Sequence, residues 1–282
     1  MGDSRGDCRD PGCSDAGAAV NRNDAAKGVD RATLGWILLG AACLRVLWAV
    51  FVPVMPISDS YAYDTFARTL VEDGVFGWNK NEPFAFWPPG TSMLYALVYY
   101  AFGYSYAALV TLNILLSLGI IASSVRVAAR YFGRRVGIAT GVVLAAWPTL
   151  VIYPTIIASE LPYLFFSILA LDLWSNPSQR LWVRAIGAGL LLAAAALARP
   201  LALLLPVVYG GAHWVANAFA RKELTTQLKQ GALAVFVMAL AIAPWSWRNY
   251  QLYDEFVLIS TNGGITFWMG NTPGTNGGYM PI

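Results

Sequence analysis

Two carboxylates and two arginines stand where the chain enters or leaves its apolar runs, and their types suit proton transfer and phosphate binding. Asp59 lies in PISDSYAYDTFARTL, directly after the first apolar run, and Glu160 lies in IIASELPYLFF, at the head of the fourth. Carboxylates so placed can accept a proton from a substrate hydroxyl, or hold a divalent cation with Asp59 and Glu160 as its ligands. They also suit plain interfacial charges, and Ser159-Glu160 would fit a helix start. Arg199 in ALARPLALLLP sits at the edge of an apolar run, where a charge is costly and asks for an anionic partner. That partner is either a phosphate gripped by a fork of donors or the headgroup region reached by snorkelling. Arg248 in APWSWRNY permits the same two readings. Tyr63 and Trp87, with Trp268 and Tyr279, could stack on a sugar ring, although a belt of interfacial aromatics accounts for them equally well.

The remaining reactive residues carry less. Arg45 falls inside the first apolar run and is expected to pair within a helix bundle. Asp172 is expected to meet Arg180 or Arg184. His213 is the only histidine, which leaves neither a His-based triad nor a His-rich metal site, and its place before Trp214 reads as an interface anchor. Cys8 and Cys13 are spaced too loosely for a zinc knuckle, and Cys43 reads as a small packing residue.

The elements that must position these groups are apolar helices. Of 282 residues, 57% are hydrophobic and 12% are charged, about half the charge of an average soluble domain. That excludes a soluble enzyme, a nucleic-acid-binding module and a secreted disulfide scaffold, and the net charge of +3 arises in loops. No signal peptide precedes the first run. Apolar runs at 33–54, 105–128, 136–153, 156–174, 183–198, 201–219 and 231–247 predict an all-α polytopic membrane protein with about seven transmembrane helices. Residues 59–73 read as a short amphipathic helix, and 89–102 as an interfacial or re-entrant helix too short to cross.

Loop charge supports that count. With seven spans, Arg126, Arg130, Arg134, Arg135, Arg180, Arg184, Arg221, Lys222 and Lys229 share the side of the amino terminus, against Glu223 alone. The positive-inside rule makes that side cytoplasmic and puts Asp59 and Glu160 on the outer face. The expected organisation is a disordered polar cytoplasmic tail at 1–32, a transmembrane module at 33–250 with an outer loop at 55–104, and an outer-face loop at 251–282. That last loop ends as though truncated.

Five blocks in order, SDSYAYDTFARTLVEDG, FAFWPPGTSMLYALVYYAFG, SELPYLFF, LARPLALLLP and PWSWRNYQLYDEFVLISTNGGITFWMGNTPGTNGGY, resemble bacterial membrane glycosyltransferases of the GT-C superfamily. Within it they resemble the dolichyl-phosphate-mannose–protein mannosyltransferase-like branch, which includes the aminoarabinose transferases. The resemblance implies an inner-membrane enzyme that takes a sugar from a polyprenyl-phosphate carrier, inverts its anomeric centre, and delivers it to a glycan, lipid or protein acceptor. It implies catalytic roles for Asp59 and Glu160, and puts Arg199 and the Arg248-Asn249 pair among the family's matching positions. Two departures stand out. Trp87 occupies the place of a lysine found in aminoarabinose transferases, and the further spans and outer globular domain of the family are missing. The competing readings are a transporter or flippase of a lipid-linked sugar, which would carry ionisable residues at the bilayer midplane, and a non-catalytic truncated membrane protein.

Overall fold

A computed structural model of the chain describes residues 28–216, 221–273 and 275. Among them the chain is helical, and the one extended pairing is an isolated bridge between Gly77 and Pro83. The helices are α1 (Arg31–Phe51), α2 (Asp59–Glu72), α3 (Gly90–Phe102), α4 (Tyr106–Phe132), α5 (Arg134–Ala146), α6 (Pro148–Ile152), α7 (Glu160–Trp174), α8 (Leu181–Ala198), α9 (Leu205–Ala216), α10 (Arg221–Tyr253) and α11 (Asn262–Asn271). Short 3₁₀ turns at Tyr153–Thr155 and Pro200–Leu204 precede α7 and α9.

Four helices are long and apolar enough to cross a bilayer: α1, α4, α8 and the Leu224–Tyr253 part of α10. A fifth crossing is available if α5 and the segment Pro148–Thr155, bent by 56° at their junction, count as one. Two of the seven expected spans are shorter than the sequence implies. The 156–174 run gives only the 15 residues of α7, because its first residues stay unwound. At 1.5 Å per residue that helix is about 22 Å long, against a hydrocarbon core of about 30 Å. The 201–219 run is split between a 3₁₀ turn and α9. Outward apolar side chains are abundant, with Trp36, Val50 and Phe51 of α1 all more than 70% exposed. These helices and their apolar exterior mark the chain as a membrane protein.

The bend at Pro148 explains a buried charge. Proline has no N–H, so the carbonyl of Leu144 four residues earlier lacks its regular helical partner and keeps only a long bond from Trp147 N at 3.4 Å. Arg45, fully buried on α1, fills the gap: its Nη2 donates to Leu144 O (3.3 Å) and its Nη1 to Ala145 O (3.0 Å). Its Nε donates to Ser117 Oγ at 2.7 Å. Arg45 does pair inside the bundle, with carbonyls and a hydroxyl.

Asp172 does not meet Arg180 or Arg184 as expected. It binds Arg126 Nε at 2.5 Å and Arg130 Nη2 at 2.8 Å, because α7 packs along α4 and brings the two arginines of that helix alongside. Residues 1–27 of the expected tail, the side chain of His213, and Tyr279 lie outside the described residues. Asp30, still within the expected tail, caps α1 through Thr33 N (3.0 Å) and binds Arg134 Nη2 at 2.5 Å, which holds its carboxyl below the usual carboxylate range.

Candidate functional site

A cavity of about 900 Å³ opens where several helices begin. The start of α2 contributes Ser58, Asp59 and Tyr63, and the loop before α3 contributes Phe86, Trp87 and Pro88. Ser159 enters from the head of α7 and Arg199 from the corner after α8. One face of α11, with Asn262, Ile265, Thr266 and Met269 at helical spacing, closes the remaining side. Asp59, Tyr63, Trp87 and Arg199, drawn from three separated stretches of sequence, thus share one cavity. Glu160 joins them through Arg199.

The Arg199 corner follows from its neighbour. A residue before proline is pushed out of the helical region, and Arg199 is extended at φ −147°, ψ 119°. Its guanidinium turns back to α7, with Nε donating to Ser159 Oγ at 2.9 Å and Nη2 binding Glu160 Oε1 at 2.6 Å. Ser159 therefore does not cap α7 with its side chain. Its hydroxyl instead fixes the plane of the arginine fork, a role the sequence reading did not assign. The unwound segment ahead of it is held by Asn113 Nδ2 on Pro154 O (3.2 Å), and by Tyr95 Oη on Ala158 O (3.3 Å). Both side chains are buried.

At the start of α2, Ser58 takes φ +54°, ψ −129°, a conformation unusual for any residue but glycine. Strain of that kind persists only where surrounding contacts impose it, and here it aims Asp59 at the cavity. Tyr63, one helical turn on, is 6% exposed. Burial pushes its phenol above the ordinary value, against the opposing effect of a hydrogen bond with Ser159, and Asp59, Arg199 and Glu160 all act on it electrostatically. Ser92 Oγ donates to Tyr63 O at 3.1 Å and ties α2 to α3.

The PPG sequence has a steric reason. A Cβ on Gly90 would lie 2.6 Å from Leu197 C and 2.7 Å from Ala198 N, so only glycine lets α3 start against the last turn of α8. Trp87 lines the cavity, but its edges are committed to Phe66, Trp78 and Phe86 at 5.8, 5.8 and 4.8 Å between ring centroids.

Arg248 is not brought to this cavity. Its Nη1 donates to Phe84 O (2.8 Å) and its Nη2 to Phe76 O (3.0 Å), and its guanidinium lies 4.7 Å from the Trp245 ring centroid. Asn249 Nδ2 donates to Val257 O at 3.2 Å, Trp245 Nε1 to Ile259 O at 2.7 Å, and Ser246 Oγ to Leu258 O at 2.6 Å. The PWSWRN stretch is thus a clasp that lays residues 257–259 against α10 and carries the chain to α11. Of the two arginines for which the sequence permits phosphate binding, only Arg199 reaches the cavity. Trp268 is on α11 but outside the cavity lining.

A divalent cation does not fit these groups. Among the described residues Asp59 is the only acid in the lining, Glu160 is engaged by Arg199, and no cluster of three or more His, Cys, Asp or Glu exists. The arrangement suits an anion better. The first residues of α2 and α11 line the cavity, as does Ser159 just ahead of α7, so positive helix ends and the Arg199 guanidinium lie beside it. Comparison with protein-family models, curated proteins and solved structures finds no match to this chain.

Proposed function

We propose that the chain is an inverting glycosyltransferase of GT-C type, moving a sugar from a polyprenyl-phosphate carrier to an acceptor at the outer face of a bacterial inner membrane. In this reading seven segments cross or nearly cross the bilayer, α2 and α3 lie at the interface, and the amino terminus is cytoplasmic. The observation that carries it is the meeting of Asp59 with the Ser159-oriented Arg199–Glu160 pair in one cavity rimmed by helix starts.

The acceptor hydroxyl oxygen attacks the anomeric carbon while the bond from that carbon to the phosphate oxygen breaks. The bonding pair leaves with the polyprenyl phosphate, and the hydroxyl proton passes to Asp59 as general base. Arg199 stabilises the charge that grows on the departing phosphate, and Glu160 with Ser159 holds the guanidinium in place. A single guanidinium, already shared with a carboxylate, matches a singly charged phosphodiester donor better than a diphosphate. The apolar wall of Trp87, Leu201, Ile265 and Met269 lets the carrier's first isoprene units approach from lipid. A transporter is less favoured: the deeply placed Arg45 has its donors taken by Ser117, Leu144, Ala145 and Ala41.

The test is sugar transfer from a polyprenyl-phosphate donor in membranes containing the chain. Asp59→Asn keeps size and hydrogen bonding but removes the proton acceptor, and should lower the rate by about 10²–10⁴-fold while donor binding changes much less. An Asp59→Asn chain that transfers at the parent rate would remove the base from the scheme.

A further inference from the structure

A neighbouring face of α2 carries a second constellation, built around Asp64. Asp64 is 6% exposed, and its carboxylate accepts three hydrogen bonds. Tyr99 Oη, from α3, donates to Oδ1. Oδ2 accepts from Tyr106 Oη (2.9 Å), at the start of α4, and from Arg68 Nε (3.0 Å), one turn along α2 itself. The Arg68 guanidinium is ringed in turn by Tyr99, Tyr104 and Tyr106, at 5.4, 5.0 and 5.8 Å from their centroids. An exposed pair of charges four residues apart on a helix contributes little. This one is different in kind, because a buried carboxylate joins three chain segments and each of its oxygens has a specified donor.

We propose that Asp64 is a positioning residue: its carboxylate locks α2 in rotation against α3 and α4, and so aims Asp59 and Tyr63 into the cavity. The proposal rests on the transferase reading of that cavity. Tyr63 and Asp64 are adjacent, about 100° apart around the helix, so the locked face and the cavity face turn together. With side chains a helix has a radius of about 5–6 Å, so a rotation of about 10° sweeps the tip of Asp59 through about 1 Å. A misplacement of about 1 Å can lower a rate by about 10²-fold. The start of α2 needs such a restraint, since Ser58 gives the helix no side-chain cap and holds a strained backbone. Tyr99 is fitted to its part: burial raises its phenol above the ordinary value, and the Asp64 hydrogen bond acts in the same direction, so the hydroxyl stays a donor.

Two measurements on the full chain in membranes test the lock, one of them independent of activity. In a background lacking Cys8, Cys13 and Cys43, Asp59→Cys is labelled with an impermeant maleimide, alone and combined with Tyr99→Phe or Asp64→Asn. The lock requires the labelling rate to change several-fold in both combinations, and Lys80→Ala, on the exposed loop, to leave it unchanged. In chains retaining Asp59, Tyr99→Phe should lower kcat by at least tenfold with the donor KM within twofold. Tyr99→Phe keeps the ring in place, so it remains informative if Asp64→Asn fails to fold. An unchanged labelling rate in folded Tyr99→Phe overturns the lock. If the parent chain transfers no sugar while labelling responds, the transferase reading fails and the lock of α2 stands.

Discussion

Replacing Arg199 separates a catalytic guanidinium from one that merely reaches the headgroups. In Arg199→Ala the fold loses the ion pair with Glu160 and the hydrogen bond to Ser159. The paired side chains are 44% and 29% exposed, so solvent screens them and their pairing contributes no more than about 1 kcal/mol. With the Ser159 bond, the loss of stability should stay within about 1–3 kcal/mol. The loss in transfer should be of another kind. Removing a donor preorganised toward developing charge costs about 2.7–4 kcal/mol in the transition state, or about 10²–10³ in kcat. Arg199→Lys keeps the charge but cannot span Ser159 and Glu160 with one planar fork, so it should restore only part of the rate. The assay measures kcat and KM separately for a polyprenyl-phosphate-sugar donor, beside thermal unfolding of the purified chain. A folded Arg199→Ala with parental donor kinetics would refute the reasoning and leave Arg199 as a snorkelling residue.

Gly90→Ala should destabilise the chain by about 1–3 kcal/mol through overpacking against Leu197 and Ala198, and should impair transfer by shifting α3 away from the cavity; a parental melting temperature would refute the close approach. For topology, Asn81→Cys should react only from outside and Arg135→Cys only from the cytoplasm. Arg135 is chosen over the neighbouring Gly133, whose φ of +89° a cysteine would strain. Labelling of Asn81→Cys from the cytoplasmic side would overturn the orientation read from the loop charges.

Helical content and an apolar exterior were legible in the chain, because they depend on composition and on neighbours a few residues apart, whereas the 136–153 run, expected as one span, is bent by 56° at Pro148. Asp59, Glu160 and Arg199 stood out because each lies at or near the end of an apolar run, whereas the cavity in which Tyr63 and Trp87 join Asp59 and Arg199 depends on packing. Arg248 shows the limit of that signal. It ends an apolar helix as Arg199 nearly does, yet the loop at 76–84 folds over it and takes its donors with backbone carbonyls. Asp172 likewise has basic residues close in sequence and finds its partners on another helix.

Asp64 marks the division between the two sources. By sequence alone it is a second acid on an amphipathic helix, five residues from Asp59 and turned away from it, suited to a control substitution of mild effect. Packing of α2 against α3 and α4 makes it a buried carboxylate with three donors. Local sequence determines which residues can be charged, apolar or helix-breaking, because those properties belong to one residue and its neighbours. Whether a charge meets water, a carbonyl or a phosphate depends on which distant helix lies against it, and that is decided only when the helices pack.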